Sequence, residues 1–592
     1  MFIIEDPLKE TMKYKDIQIS PSKNLLQSHP NVEAMVVGVS HILNDEYPFA
    51  FVTEVPDSKD TSNFITKDNI WKGIEKPISL KYTNIGKLLL DRMKAKPDFV
   101  GQIDVVTEET YTFAEMFDRT VKCALWLRQQ GIKANDVVAL CSSNIMDSFA
   151  PIYASFSLAA IITSWNTAMD IREARFFMKL SSAKIIFTEE SLVDMLIEAA
   201  NLENHDIKIV VFGNTSNAIP FSKVLQDHRK CDVDNFECTS VNNVYDTAII
   251  AYSSGTTGLP KGVQISHYAC LYAVSSENLG VCNIPLWMTS YFWITGLQLT
   301  LNSTINYCKR LLYPKFDEEM MCKIIEKYKV TWLFLSPSMA NRTLKSGYPK
   351  KYDLSSVEII FITGGIFNVE SQRMLKENLI NAMIIQIYGM TEICGSITVK
   401  MPYHKPESIG MVSKNVQIKI IDVETGNILG PNKTGELLVK SLTMTKGYYN
   451  NPQATKDAID DDGWFHSGDL TYYDEKGQFF FVDRLKETIK YRGYHVSPCE
   501  IETLLQTHPD VVEAAVVGVP NLQDDERPIA FVVKVSGSKV TERELQELVA
   551  KNMTERNHLH AGVIFLEKMP YTPSEKISRK ELKVIAKNHF CK

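Results

Sequence analysis

An apolar run, Ala248 to Tyr252, passes directly into the turn SSGTTGLPKGV, Ser253 to Val263. In layered α/β architectures, glycine-bearing loops at strand ends are natural ligand sites. Ser253, Ser254, Thr256 and Thr257 supply hydroxyls, Gly255 and Gly258 leave the backbone N–H groups open to approach, and Lys261 adds a cation. Together they can wrap phosphate oxygens. The turn is not the common P-loop, because Lys261 follows Pro260 and precedes Gly262 instead of forming Gly-Lys-Ser/Thr. A solvated turn that happens to be rich in Ser and Thr is the plain alternative.

From about Ile85 onward, short β-branched runs alternate with amphipathic segments, as in Asp136 to Leu140, Ala183 to Thr188 and Ile207 to Phe212. This is the α/β pattern. The chain's 592 residues exceed what one hydrophobic core holds, so at least two domains are expected. A net charge of -7 gives no general pull toward nucleic acid, and no such partner is expected. The 11 cysteines are scattered without CxxC or zinc-type spacing and read as reduced thiols, which points to an intracellular protein. The opening MFIIEDPLKETMKYKD lacks the basic-then-apolar order of a secretory signal. Phe149 to Trp165 is the most apolar stretch; it falls short of the ~20 residues of a spanning helix and is predicted to be a buried helix. The final residues, Phe590, Cys591 and Lys592, are not a Ser-Lys-Leu peroxisomal address, which favours a cytoplasmic location.

An internal repeat divides the chain. KETMKYKDIQISP, Lys9 to Pro21, echoes KETIKYRGYHVSP, Lys486 to Pro498, and NDEYPFAFV, Asn44 to Val52, echoes DDERPIAFV, Asp524 to Val532. The copy ends near Pro56 and never reaches a counterpart of TPSEKISRKEL; Pro7 stands where the second version has Arg484, and Asp16 where it has Gly493. Residues 1–60 are therefore expected to be a non-catalytic remnant of a C-terminal domain, followed by a linker over 61–82.

Three more segments carry chemistry. IIQIYGMTE ends with Tyr388 and Gly389, then Thr391 and Glu392; a hydroxyl beside a carboxylate suits Mg²⁺ shared with a nucleotide's phosphates, although an isolated turn of this kind is equally a surface feature. GWFHSGDL brings Asp469, and VDRLKETIKYRGY brings Arg484, Lys486, Lys490 and Gly493. Asp469 can accept from two ribose hydroxyls and Arg484 can donate to sugar or phosphate. TPSEKISRKEL carries Lys576 on a polar loop.

In this order the four segments resemble the adenylate-forming superfamily: acyl-CoA synthetases, 4-coumarate-CoA-ligase-like enzymes, beetle luciferases and peptide-synthetase adenylation domains. The resemblance spans about residues 83 to 590. It implies an α/β fold, with a large N-terminal domain of layered sheets and helices (83–484) and a smaller mobile α+β C-terminal domain (485–592). It also implies ATP, Mg²⁺ and, as co-substrate, coenzyme A, acting with a small-molecule carboxylic acid.

By the same resemblance, Ser253, Ser254, Gly255, Thr256, Thr257, Gly258 and Lys261 hold the ATP phosphates. Thr391 is a phosphate contact, Glu392 the magnesium ligand, and Gly364 and Gly365 form the turn against which adenine lies, with Tyr388 and Gly389 nearby. Asp469 and Arg484 match the ribose pair, and Lys486 the interdomain hinge. Lys576 matches the lysine that offsets charge on the α-phosphoryl group during adenylation; Lys490 and Gly493 match positions that face the site after the small domain swings, for thioester formation. Two departures stand out: Ile366 and Phe367 where relatives often have Ala-Pro, and Trp293 in SYFWITGL where many have histidine. An indole cannot exchange protons, but it can plug an apolar acyl tunnel; a core tryptophan is the plain alternative. The expected activity is an acid-CoA ligase for a fatty or other apolar acid. A luciferase-like monooxygenase, a 4-coumarate-type aryl acid ligase and a non-enzymatic acyl or nucleotide binder are the alternatives.

Overall fold

The computed structural model describes residues 68–75, 81–226, 228–253, 260–276, 284–492, 494–571 and 577–590, with four strands of the N-terminal copy at 12–14, 17–19, 32–40 and 46–54. The expectations for Ser254, Gly255, Thr256, Thr257, Gly258, Gly493 and Lys576 lie outside these described residues.

The strands before and after the hydroxyl-rich segment belong to a seven-stranded sheet. Its order is Ile219–Pro220, Lys208–Phe212, Ile185–Glu189, Val137–Cys141, Ile161–Ser164, Thr247–Ser253 and Lys261–Ser266, and only the last pair is antiparallel. Val137–Cys141 is buried at every position and Thr247–Ser253 at all but its last. Parallel strands covered on both faces read as unbroken apolar runs, which is why both were visible in the sequence.

The stretch from Phe149 to Trp165 is not one helix. It forms the helix Phe149–Ser157, reverses at Ala159 (φ 53°) and continues as the strand Ile161–Ser164. Ile161, Ile162 and Thr163 are β-branched and fill the slot between Val137–Cys141 and Thr247–Ser253, where a strand suits them better than a helix.

A second, six-stranded sheet runs Pro285–Trp287, Trp332–Leu335, Ile359–Thr363, Met383–Met390, Gly395–Lys400 and Met411–Val412. The third sheet is antiparallel: Phe479–Arg484, Phe465–Tyr473, Gly435–Ser441, Val416–Ile421 and Trp71–Lys72.

Its last strand lies within the expected linker over residues 61–82. Trp71 is 1% exposed and meets Tyr473 and Phe479 edge-on, with ring centroids 5.4 and 6.2 Å away. Gly477, at φ +76°, lies so close that a Cβ would stand 2.4 Å from the indole. A two-residue strand leaves no periodicity to read; burial of one large ring fixes it.

The small domain's sheet is ordered Tyr494–Val496, Ile489–Tyr491, Asp525–Lys534 and Val511–Asn521, with Val563–Leu566 beside Asp525–Lys534. Between this sheet and the third one lie residues 485–488, where Leu485 N–H bonds the Gly468 carbonyl and Lys486 is exposed.

The repeat is also present as strand register. Met12 faces Ile19 and Tyr14 faces Ile17, as Ile489 faces Val496 and Tyr491 faces Tyr494. Gly38 faces Pro48 and Ala34 faces Val52, as Gly518 faces Pro528 and Ala514 faces Val532. Among the described residues no helix is long and apolar enough to cross a membrane.

Candidate active site

Ser253 and Lys261 are cross-strand neighbours at the carboxyl end of the strand Thr247–Ser253. The Lys261 ammonium lies 4.6 Å from the centre of the Tyr448 ring. On the other side, the Tyr448 hydroxyl donates to Glu392 Oε1 at 3.0 Å. Glu392 is 8% exposed in the short 3-10 turn Thr391–Ile393. Burial, then the Glu392 charge, push the Tyr448 phenol well above its usual range, so it remains a donor.

Tyr448 was missed by sequence reasoning, since an aromatic in a polar turn carries no charge signal. What positions it is backbone stitching: Thr445 N–H bonds the Glu392 carbonyl at 2.7 Å, and Tyr449 N–H bonds the Gly262 carbonyl at 2.7 Å. Gly389 sits at a register shift in the strand Met383–Met390, and a Cβ there would meet the Gly395 carbonyl oxygen at 2.4 Å. Only glycine lets the chain turn into Thr391 and Glu392 this closely.

Asp469, 4% exposed, faces Arg484 across adjacent strands. Its Oδ1 is 3.4 Å from Arg484 Nε, while its Oδ2 accepts from the Tyr388 hydroxyl at 2.7 Å. Burial, then the carboxylate's charge, raise the Tyr388 phenol well above its ordinary value. Three residues from three separated segments thus form one cluster.

Gly364 adopts φ +90°, a conformation that favours glycine, and Gly365 faces the Pro337 ring, with a virtual Cβ 3.5 Å from Pro337 Cγ. Ile366 is 45% exposed and Phe367 is buried, so the departure from Ala-Pro adds apolar surface at the turn.

Trp293 is the N-cap residue of the helix Ile294–Ile305. It meets Phe292 edge-on at 4.9 Å, and Phe292 stacks on Tyr252 at 5.7 Å. The indole is only partly buried and rests on the cluster that holds Tyr252 and Phe177. Trp293 therefore stands beside the strand that leads into the hydroxyl-rich turn. Gly296 is obligatory, because a Cβ would strike the Ser290 carbonyl oxygen at 2.2 Å.

Lys490 is exposed on the strand Ile489–Tyr491, with its backbone N–H bonded to Glu526 Oε2 at 2.9 Å. The residues on either side of the segment holding Lys576, Tyr571 and Ile577, pair in an isolated antiparallel bridge. Among the described residues no group of three or more His, Cys, Asp or Glu side chains is gathered for a metal. A single buried carboxylate such as Glu392 fits Mg²⁺, which takes few protein oxygens and fills its octahedron with phosphate and water.

Residues 90–449 match the family described as AMP-binding enzyme, and residues 500–576 match its C-terminal domain. The chain is 34% identical to a 4-coumarate-CoA ligase of Pinus taeda, over 81% of this chain and 91% of that protein. It is 31% identical to a luciferin 4-monooxygenase of Nipponoluciola cruciata, over 84% and 93%. The structure of the luciferase-like enzyme from the nonluminescent mealworm Zophobas morio superposes with a TM-score of 0.66 at 29% identity, covering 71% of this chain and all of that one. The anthranilate CoA ligase AuaEII, solved with anthranoyl-AMP, shares the fold at a TM-score of 0.78 and 20% identity, over 87% and 99%. With these matches and this fold, the chain belongs to the AMP-binding enzyme family, the adenylate-forming enzymes that include 4-coumarate-CoA ligases and luciferases.

Proposed function

We propose that this chain condenses an apolar carboxylic acid with ATP to an acyl-adenylate and pyrophosphate, then transfers the acyl group to coenzyme A and releases AMP. The reading is carried by the Asp469 cluster: a buried carboxylate between a phenol donor and a guanidinium, as an acceptor for ribose hydroxyls requires. Lys261 and Glu392 both contact Tyr448, one cation for phosphate and one carboxylate for its metal. Bound Mg²⁺ supplies charge neutralisation for the phosphates, with Glu392 as its protein ligand.

In the first half-reaction, a carboxylate oxygen of the acid attacks the α-phosphorus in line and pyrophosphate leaves. Lys576 is assigned to the charge that builds on the α-phosphoryl oxygens. In the second, the thiol sulfur of coenzyme A attacks the acyl carbon and AMP leaves, with Lys490 and Gly493 assigned to that step and Lys486 to the hinge between the two arrangements. The partly exposed Trp293, backed by the buried Phe292, favours an apolar acid.

The test is pyrophosphate release over a panel of fatty and aryl acids, with and without coenzyme A. Release with fatty acids, and a coenzyme A-dependent thioester, are expected; no release with any acid would sink the reading. The luciferin 4-monooxygenases among the relatives keep a second reading open, and bright emission with luciferin, ATP and O₂ would favour it.

A further inference from the structure

We propose that Ser338, Glu513 and Tyr571 form an interdomain latch that positions the small domain for the adenylate-forming half of the cycle. The inference rests on the two-step reading above. Ser338 lies in the first turn of the large domain's helix Pro337–Ser346, whereas Glu513 and Tyr571 belong to the small domain. The Ser338 hydroxyl donates to Glu513 Oε1 at 3.0 Å, the Tyr571 hydroxyl donates to the same oxygen, and the two hydroxyls are 3.3 Å apart. Glu513 is 9% exposed, and one of its carboxylate oxygens gathers both donors at a half-buried contact.

Two further bonds close the same face. The Lys345 ammonium donates to the Val511 carbonyl, and Asn368 Nδ2 donates to Gln506 Oε1 at 2.8 Å. This docking presents one particular edge of the small domain. Tyr571, which pairs with Ile577, meets Ser338; Ser338 adjoins Pro337; and Pro337 faces Gly365. Lys490 meanwhile lies exposed on its own strand. The latch thus joins the root of the TPSEKIS segment to the helix that abuts the Gly364–Gly365 turn, and it must open before the exposed strand can take that place. A charge-assisted, half-buried bond is strong enough to bias such an equilibrium and weak enough to break in each cycle.

Tyr571→Phe keeps the ring and removes the donor. Adenylate formation, read as pyrophosphate release, is expected to fall about tenfold, while thioester formation from presynthesised acyl-AMP holds or rises. Ser338→Ala added to Tyr571→Phe should cost less than it does alone, because both hydroxyls act on one oxygen, and Ser338→Thr should retain the wild-type ratio of half-reactions. Equal losses in both half-reactions, or strictly additive losses, would overturn the latch. Amide hydrogen exchange without substrates decides the matter independently: Tyr571→Phe should accelerate exchange across residues 337–346 and 511–516. Unchanged exchange rules out the latch whatever the catalytic assays give, and a chain inert toward every acid refutes the two-step reading while leaving the exchange result to judge the contact.

Discussion

The Tyr388 hydroxyl donates to Asp469 across 2.7 Å, joining the end of a strand in the second sheet to a strand in the third. The Asp469 carboxylate is therefore oriented before any ligand arrives, with Arg484 Nε 3.4 Å from its other oxygen. Preorganisation of this kind concentrates binding energy on the ligand instead of spending it on side-chain ordering.

Asp469→Asn is expected to weaken ATP binding by about tenfold or more, because it replaces a charged acceptor by a neutral amide. Tyr388→Phe should weaken it less, by loosening the carboxylate. Isothermal titration with ATP reads both, and a change below about twofold for Asp469→Asn removes that residue from the nucleotide site.

Lys576→Ala should depress acyl-adenylate formation and spare the use of presynthesised acyl-AMP; Lys490→Ala should do the opposite. Rapid-quench measurement of the two half-reactions separates them. Matching losses for both variants in both steps contradict the assignment of one lysine to each step.

Trp71 sets how far the chain can be shortened from its N-terminal side. A chain starting at Asp68 retains the strand Trp71–Lys72 and should remain soluble and active, whereas one starting at Leu80 loses a fully buried indole and should melt markedly lower. Trp71→Ala isolates the effect, with an expected cost of about 3–5 kcal/mol. Thermal denaturation of the three proteins is the check, and a Leu80 start that melts with the Asp68 start refutes the role given to the ring.

Asp483 imposes a pH dependence on stability. It is 2% exposed, accepts from Ser497 Oγ at 2.5 Å, and burial raises its pKa from 3.8 to about 6. Between those values the unfolded carboxyl ionises while the folded one stays protonated, so stability falls as pH rises from 3.8 to about 6 and is level above. The loss amounts to about 3 kcal/mol at 1.36 kcal/mol per unit. Asp483→Asn cannot ionise, so its melting temperature relative to the parent should climb over that interval; a constant difference contradicts the shift.

Chemistry was more legible in the sequence than assembly. Ser253, Lys261, Glu392, Asp469 and Arg484 lie in segments whose residue types suit phosphate, metal or sugar, and it is from those types that their roles are proposed. The parallel strands were legible because burial on both faces makes them continuous apolar runs. Tyr448 was not, because its role depends on backbone bonds from Thr445 and Tyr449 to distant segments. The Ser338–Glu513 contact joins residues 175 positions apart and has no local signature. Trp71 looked like part of a polar connector because only its depth, not its surroundings in sequence, marks it as core. The reversal at Ala159 was hidden for a different reason: an apolar helix followed by an apolar strand has the composition of either one alone.

The shared register of the two hairpins has a kinetic consequence. Strands Val32–Ser40 and Glu46–Glu54 leave the ribosome well before Val511–Asn521 and Asp525–Lys534, which follow the same pairing scheme. The earlier hairpin can therefore form from local contacts alone, at low contact order, while its later twin is still unmade. When the later strands emerge, they meet a ready partner of matching alternation in their own chain and in any adjacent polypeptide. Refolding yield should then fall with protein concentration more steeply than it does for a chain that begins at Asp68, since strand exchange between molecules competes with correct closure.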